Sequence, residues 1–372
     1  MLRQQYQRVQ DTLRTKNLDG LLAISMENVY WLSEALIKTQ KSIPDRLAVV
    51  LCPLGEHPTM LVCSIEESLV RRDTWISDLR TYVEFAQSPV SAVADIMRSR
   101  GLDRGRVGIE KGYVCALHYE EFLRELPGVA WVDVSADFER MRMIKTPREI
   151  EIIRHAAVST EKAIMEAFRE SKPGDTERAV VNRIILKTLE AGADAASGTF
   201  GAGPKSAIAH PFADDSPLRP GDIVSVDFGG EFRGYHSDLG RTAVVDKPSD
   251  RQERLYTQLY DIQRRLIDGV RPGVKACELF RKADEWMRRA GIPISLPHVG
   301  HGLGLALHEY PLLSPFNEEP LQEDMVINIE PFHVADEGYH AEDTMVVRKD
   351  GAELLSDFAD HSRIIRIRGG EA

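Results

Sequence analysis

Asp227, Asp238, His301, Glu330 and Glu342 have the types and spacing to hold metal ions. The stretch GDIVSVDFGGEFRGYHSDLGRT, Gly221 to Thr242, reads as a β-hairpin. Ile223, Val224 and Val226 are strand formers, Thr242, Val244 and Val245 continue the return strand, and the glycine-rich segment Gly229–Gly234 supplies the turn. Folded about Glu231–Gly234, the hairpin sets Asp227 opposite Asp238. Two carboxylates facing each other across a strand pair repel, and a divalent cation between them turns that repulsion into a binding site. A turn-capping Asp paired with a solvated Asp explains this hairpin, taken alone, equally well.

A second hairpin favours the metal. Met325–Glu330 and Tyr339–Val347 read as strands joined by a turn near Ala335–Gly338, which sets Glu330 opposite Glu342. Between the hairpins lies His298-Val-Gly-His-Gly-Leu-Gly-Leu-Ala-Leu-His308-Glu-Tyr-Pro311. A lone buried histidine is usually a satisfied core residue. His301 is flanked by glycines that let backbone approach closely, and it stands beside two acidic hairpins, which suits a ligand. Four carboxylates and one imidazole match two divalent cations. An imidazole among oxygens selects Mn²⁺, Co²⁺, Fe²⁺ or Zn²⁺ over Ca²⁺.

At these residues the chain resembles the pita-bread metallopeptidases, which comprise methionine aminopeptidase, aminopeptidase P and prolidase, with creatinase as a metal-free relative. The resemblance implies two divalent ions, Mn²⁺ first among them, on the ligand series Asp227, Asp238, His301 (in GHGLG), Glu330 (in IEP) and Glu342 (in HAED). It implies that Asp238 and Glu342 bridge, that Asp227 serves one ion, and that His301 and Glu330 serve the other. Two further family histidines match His210 and His308, the latter in HEYP; these two and Glu330 are the expected catalytic groups. The implied reaction is hydrolysis of an Xaa-Pro peptide bond by a metal-activated water, in a dipeptidase or an aminopeptidase. Prolidases commonly carry Arg where this chain has Leu312 and His340, which weakens the case for clamping a dipeptide carboxylate. Hydrolysis of a small non-peptide amide is the alternative on the same scaffold, and a non-enzymatic binding protein is a third reading.

The elements around these residues suggest how they are positioned. Lys172-Pro-Gly174 precedes a helix ending at Ala191-Gly192, and Arg271-Pro-Gly273 precedes one ending at Ala290-Gly291, with the same interval from Pro to Ala in each. Each copy reads as helix, PG turn, helix, loop and acidic hairpin, so two copies bring both hairpins to one central sheet with helices outside. Thr146, Pro147 and Glu149 form a capping box that opens the first of these helices. The expected fold is an α/β N-terminal domain, residues 1–143, followed by an α+β pita-bread domain, residues 144–372. In the first domain strands are expected at Leu21–Ile24, Leu47–Leu51, Met60–Cys63, Val107–Glu110 and Val132–Val134, with helices at Val90–Arg100 and His118–Leu126. Asn28, Tyr30 and Trp31 read as ordinary core and turn residues. In the family such a domain assists dimerisation, so a homodimer is expected.

Composition narrows the partners. A net charge of −11 without a basic run argues against nucleic acid and anionic membranes. The N-terminal stretch MLRQQYQRVQDTLRTKNLDG reads as a polar amphipathic helix and not a signal peptide. No apolar run approaches the ~18 residues of a membrane span. Cys52, Cys63, Cys115 and Cys277 form no close pair and read as reduced core thiols, which places the protein in the cytoplasm.

Overall fold

The computed structural model describes residues 3–43 and 46–369; Met1 and Leu2, at the head of the expected first helix, lie outside them. The chain divides into two units, Met1–Arg142 and Met143–Ala372. The first opens with a helix, Gln4–Lys16, closed by Asn17 in the left-handed conformation. Apolar runs then form β1 (Gly20–Ala23), β2 (Val49–Pro53), β3 (Thr59–Cys63), β4 (Asp78–Tyr82), β5 (Arg104–Ile109) and β6 (Gly128–Asp133). They make one sheet in the order β4-β3-β2-β1-β5-β6. β1, β2 and β3 are buried along their whole length, which is why they read as continuous apolar runs. The edge strand β4 carries Asp78 and Arg80, and these charges hid it from a reading based on apolar runs.

Two readings in this unit need correction. Asn28 and Trp31 are buried core residues as expected, but with Tyr30 they lie on a helix, Met26–Ser33, capped by the Ser25 hydroxyl, and not in a turn. The helix is fixed from inside: the buried Glu110 carboxylate accepts from the Asn28 amide at 2.6 Å. Cys115 is exposed, so only Cys52, Cys63 and Cys277 are core thiols.

The second unit is built in two similar halves. Helices Pro147–Glu170 and Glu177–Glu190 begin the first half, and Asp250–Asp268 and Ala276–Arg289 begin the second. Capping boxes open both long helices, Thr146 with Glu149 and Ser249 with Gln252. The PG turns match in detail. Gly174 and Gly273 have φ of 91° and 87°, a backbone that suits glycine. Their amides donate to Leu218 O at 2.9 Å and Leu321 O at 2.8 Å respectively.

Strands follow: β7 (Ala195–Ala202), β8 (Ile223–Phe232), β9 (Tyr235–His236), β10 (Leu239–Val245), β11 (Val326–Ile329), β12 (Phe332–Val334), β13 (Gly338–His340), β14 (Asp343–Arg348), β15 (Gly351–Leu354) and β16 (Ile365–Ile367). They do not make one central sheet. The ladders are β16-β10-β8-β7 with β9 on β8, then β11-β14-β15, and β12-β13. Two cores result, and Ile223 and Val244 of the first half join the second of them. Ile164, Val180 and Ile184 pack with Val224, Val226 and Ala243; Leu266, Leu279 and Ala283 pack with Ile327, Ile329 and Met345. Helices cover each hairpin, so the acidic residues are held where two hairpins meet. Among the described residues no helix is long and apolar enough to cross a membrane.

Candidate metal centre

The first hairpin turns later than its sequence suggests. β8 runs through the glycines to Phe232, which pairs with Tyr235, and only Arg233 and Gly234 remain in the turn. Their φ values of 52° and 79° are those of the tight hairpin turns whose twist matches the strands. Asp227 therefore pairs with Gly240, not Asp238. The slip is two residues. A one-residue slip would have sent the acids to opposite faces, but a two-residue slip leaves them diagonal neighbours on one face.

The second hairpin keeps its expected register. Val326 pairs with Val346 and Ile329 with Asp343, and beyond a short interruption Phe332 pairs with His340. Glu330 and Glu342 sit in that interruption, where Pro331 has no N–H to give the ladder. The Glu342 amide turns instead to the first hairpin and donates to Gly240 O at 3.1 Å. The two hairpins are thereby stitched together at the acids. Buried Arg241 strengthens the seam: it donates to the carbonyls of Gly240 and Glu342 and pairs with Glu161 at 2.6 Å and Asp343 at 2.9 Å.

The histidine segment lies along β11. Glu330 N–H donates to Val299 O at 3.0 Å and Asn328 N–H to His301 O at 2.8 Å. Gly300, at φ 153°, permits this approach, since a Cβ there would fall 2.1 Å from Asn328 O. The chain then loops back: Gly302 and Glu309 exchange backbone hydrogen bonds of 3.0 and 2.8 Å. A buried ion pair between Lys145 and Glu309, 2.7 Å long, fixes the returning end. His308 is thus stacked on His301, with ring centroids 3.8 Å apart. His210, exposed, approaches from the loop after β7 and lines the same cavity.

That cavity, about 140 Å³, is lined by Asp227, Asp238, His301, Glu330, His210 and His308 together with His298 and His340. Glu342 is fully buried behind it, with Oε1 taking a 2.6 Å hydrogen bond from Asn328. Three groups of potential ligand atoms lie within 4.8 Å of one another: Asp238 with His301 and His308, Asp227 with His340 and Glu342, and His301 with Glu330 and Glu342. His301 Nε2 stands 3.5 Å from both Asp238 Oδ2 and Glu330 Oε1. The reading from sequence missed His298, whose Nδ1 is 3.1 Å from Glu330 Oε1, and took His340 only as a departure from a pattern. Alternation along a strand was the available signal for His340, which precedes Glu342 by two positions and so shares its face.

The electrostatics call for cations. Burial, then repulsion from Asp238, raises the Asp227 carboxyl to about 8. Burial, then Asp238 and Asp227, holds Glu342 well above the ordinary carboxylate range. Burial also pushes Glu330 up, but His298, His340 and His301 outweigh it and leave it below its usual range. Burial pulls His301 down, yet Asp238 and Glu330 raise it to about 9. Burial and the neighbouring His301 lower His308 to about 4, so its ring is neutral near pH 7. Glu342 Oε2 is buried without a hydrogen-bond donor. Buried acceptors are normally paired, and divalent ions fit this set of oxygens and imidazoles.

Residues 151–349 match the model of metallopeptidase family M24, and residues 5–144 match that of the creatinase/prolidase N-terminal domain. The chain belongs to metallopeptidase family M24. Divalent metal ions are accordingly its implied cofactor, and the two-domain pita-bread architecture expected from the sequence is the one found. An Xaa-Pro dipeptidase of Pyrococcus horikoshii is 28% identical over 363 residues, covering 96% of this chain and 97% of that protein. An Xaa-Pro dipeptidase of Pyrococcus furiosus is 36% identical over 221 residues, covering 58% of this chain and 64% of that protein. The crystal structure of the prolidase from Pyrococcus horikoshii superposes with a TM-score of 0.86 at 26% identity, covering 96% of this chain and 99% of that one.

Proposed function

We propose that this M24 chain hydrolyses Xaa-Pro peptide bonds with two divalent ions, Mn²⁺ in the first instance, held by Asp227, Asp238, His301, Glu330 and Glu342. The observation that carries the reading is that all five residues fall within three overlapping ligand groups, with Glu342 and His301 each common to two of them. Bound divalent ions supply an acidified water and a polarised scissile carbonyl. Glu330, ionised and beside His298, is placed to take the proton of the attacking water and pass it to the leaving nitrogen. Neutral His308, held over His301, can donate to the oxygen that gains charge, and His210 can do so from the cavity edge; one well-placed donor contributes about 3–4 kcal/mol at the transition state. The acids and imidazoles supply the chemistry, and Ile208, Leu296 and Phe332 in the cavity wall offer apolar contact for a proline ring.

Among the described residues lining the cavity none is Arg or Lys. A dipeptide's carboxylate would find no cationic clamp there, which favours a longer Xaa-Pro peptide or, as a second reading, a small amide. The deciding experiment compares Xaa-Pro dipeptides, longer Xaa-Pro peptides and small amides on metal-loaded and chelated protein. Metal-dependent cleavage at Xaa-Pro is the expected result; turnover of amides alone supports the second reading, and no turnover of any substrate sinks both. We further propose a cytoplasmic homodimer, as members with this N-terminal domain commonly form.

A further inference from the structure

His340 is 3% exposed and closely held where it does not face the cavity. Its amide donates to Thr242 Oγ1 at 2.8 Å, and the same hydroxyl donates to its carbonyl at 2.9 Å. The ring lies so close over Gly240 that a Cβ there would come within 2.6 Å of it, and Phe332 stands edge-on at 5.0 Å between centroids. An imidazole fixed in this way normally spends both nitrogens on hydrogen bonds, yet Nε2 has no partner. It stands 3.7 Å from Glu342 Oε2, itself without a donor, and 3.8 Å from Glu330 Oε2. These separations exceed a hydrogen bond, which ends near 3.2 Å. They are close to the ~3–3.7 Å that two atoms span when both bond one ion at about 2.1 Å. Asp227 closes the group, its oxygen within 4.8 Å of the other two ligand atoms.

We propose that His340 is itself a metal ligand, its Nε2 bonding the ion held by Asp227 and Glu342. The inference rests on the metallopeptidase reading and extends it. Each ion then carries one imidazole, His301 on one and His340 on the other. A second imidazole adds no charge to a site already crowded with carboxylates. It also moves the preference of that ion away from Mn²⁺, which suits oxygen donors, toward Zn²⁺, Fe²⁺ or Ni²⁺, which suit imidazole.

The wild-type protein loaded with Co²⁺ offers a test that needs no variant. X-ray absorption should show outer-shell scattering from about one imidazole per ion; about half an imidazole per ion would overturn the proposal. His340→Gln and His340→Ala should weaken one of the two Co²⁺ sites by more than about 100-fold, beyond the 10–100-fold cost of losing an outer-shell partner. Both should change the visible Co²⁺ spectrum, and added imidazole should restore it in His340→Ala. Unchanged affinity and spectrum in folded variants would again overturn it, and if neither variant folds the wild-type absorption result decides. Wild-type protein that binds no divalent ion would defeat the peptidase reading and this one together. Wild-type protein that binds two ions and cleaves Xaa-Pro bonds, but with half an imidazole per ion, would defeat this one alone.

Discussion

At the residue scale the acids and His301 were legible because their chemistry is costly without a cation. The same cost yields a pH prediction. Asp227 is raised to about 8 in the metal-free fold, against about 4 in an unfolded chain. Between those values the metal-free fold holds a proton that the unfolded chain lacks, so its stability falls as pH rises. His301, raised to about 9, acts in the same direction: its contribution is complete below about 6.5 and is lost as pH rises through 9. Glu330, lowered, loses its contribution only on the acid side of this window. Bound metal displaces the Asp227 proton, so metal affinity should rise with pH. His308, lowered to about 4, acts oppositely below about 6.5, so melting temperatures of chelated and loaded protein should diverge from pH 6.5 to 8, with the chelated form falling; parallel curves would contradict the arrangement.

The proposed roles divide the histidines. His210→Ala and His308→Ala should keep their metal and lose on the order of 10²–10³ in kcat, whereas His301→Ala should lose both. Metal stoichiometry beside kcat for all three variants checks this, and a His308→Ala protein that sheds metal would place His308 among the ligands. What escaped the sequence at this scale were two further imidazoles. His298 and His340 face no like-charged partner across a hairpin in the sequence, so the repulsion that exposed the acids did not expose them.

At the element scale the acid pairs survived an error in the first hairpin. Gly229 and Gly230 look like turn residues, yet they are glycines in a strand interior, where neighbouring backbone comes close: a Cβ on Gly229 would meet Ser237 O at 2.2 Å. The repeat of helix, PG turn, helix and hairpin was readable because each copy obeys the same local rules. The separate ladders were not, because Pro331 and the seam bonds to Gly240 depend on partners distant in sequence. Arg241 belongs to that seam and joins the helix Pro147–Glu170 to β10 and β14 through Glu161 and Asp343. Arg241→Met would leave two buried carboxylates without their cation, a loss of about 3–5 kcal/mol. The urea midpoint measured on chelated protein should fall accordingly, and a midpoint near wild type would mean that His361, Gln263 and Ser356, which also bond Asp343, suffice.

At the scale of the whole molecule, length allowed two domains and charge argued against a nucleic-acid partner, but no composition states an assembly. We expect a homodimer; sedimentation at micromolar concentration would show about twice the monomer mass, and a monomer would count against it. The stitched hairpins have a further consequence. Asp227 and Asp238 come from one half of the second unit, and His301, Glu330 and Glu342 from the other, joined by the short link Asp246–Ser249 between β10 and the helix Asp250–Asp268. Cut after Lys247, the protein becomes two fragments with the proposed metal ligands divided between them. Whatever factor divalent ions add to the affinity of the fragments for each other, the fragments must add to the affinity for the ions. Titrating one fragment with the other, with and without Mn²⁺, would measure how far the centre acts as a fastener as well as a reagent.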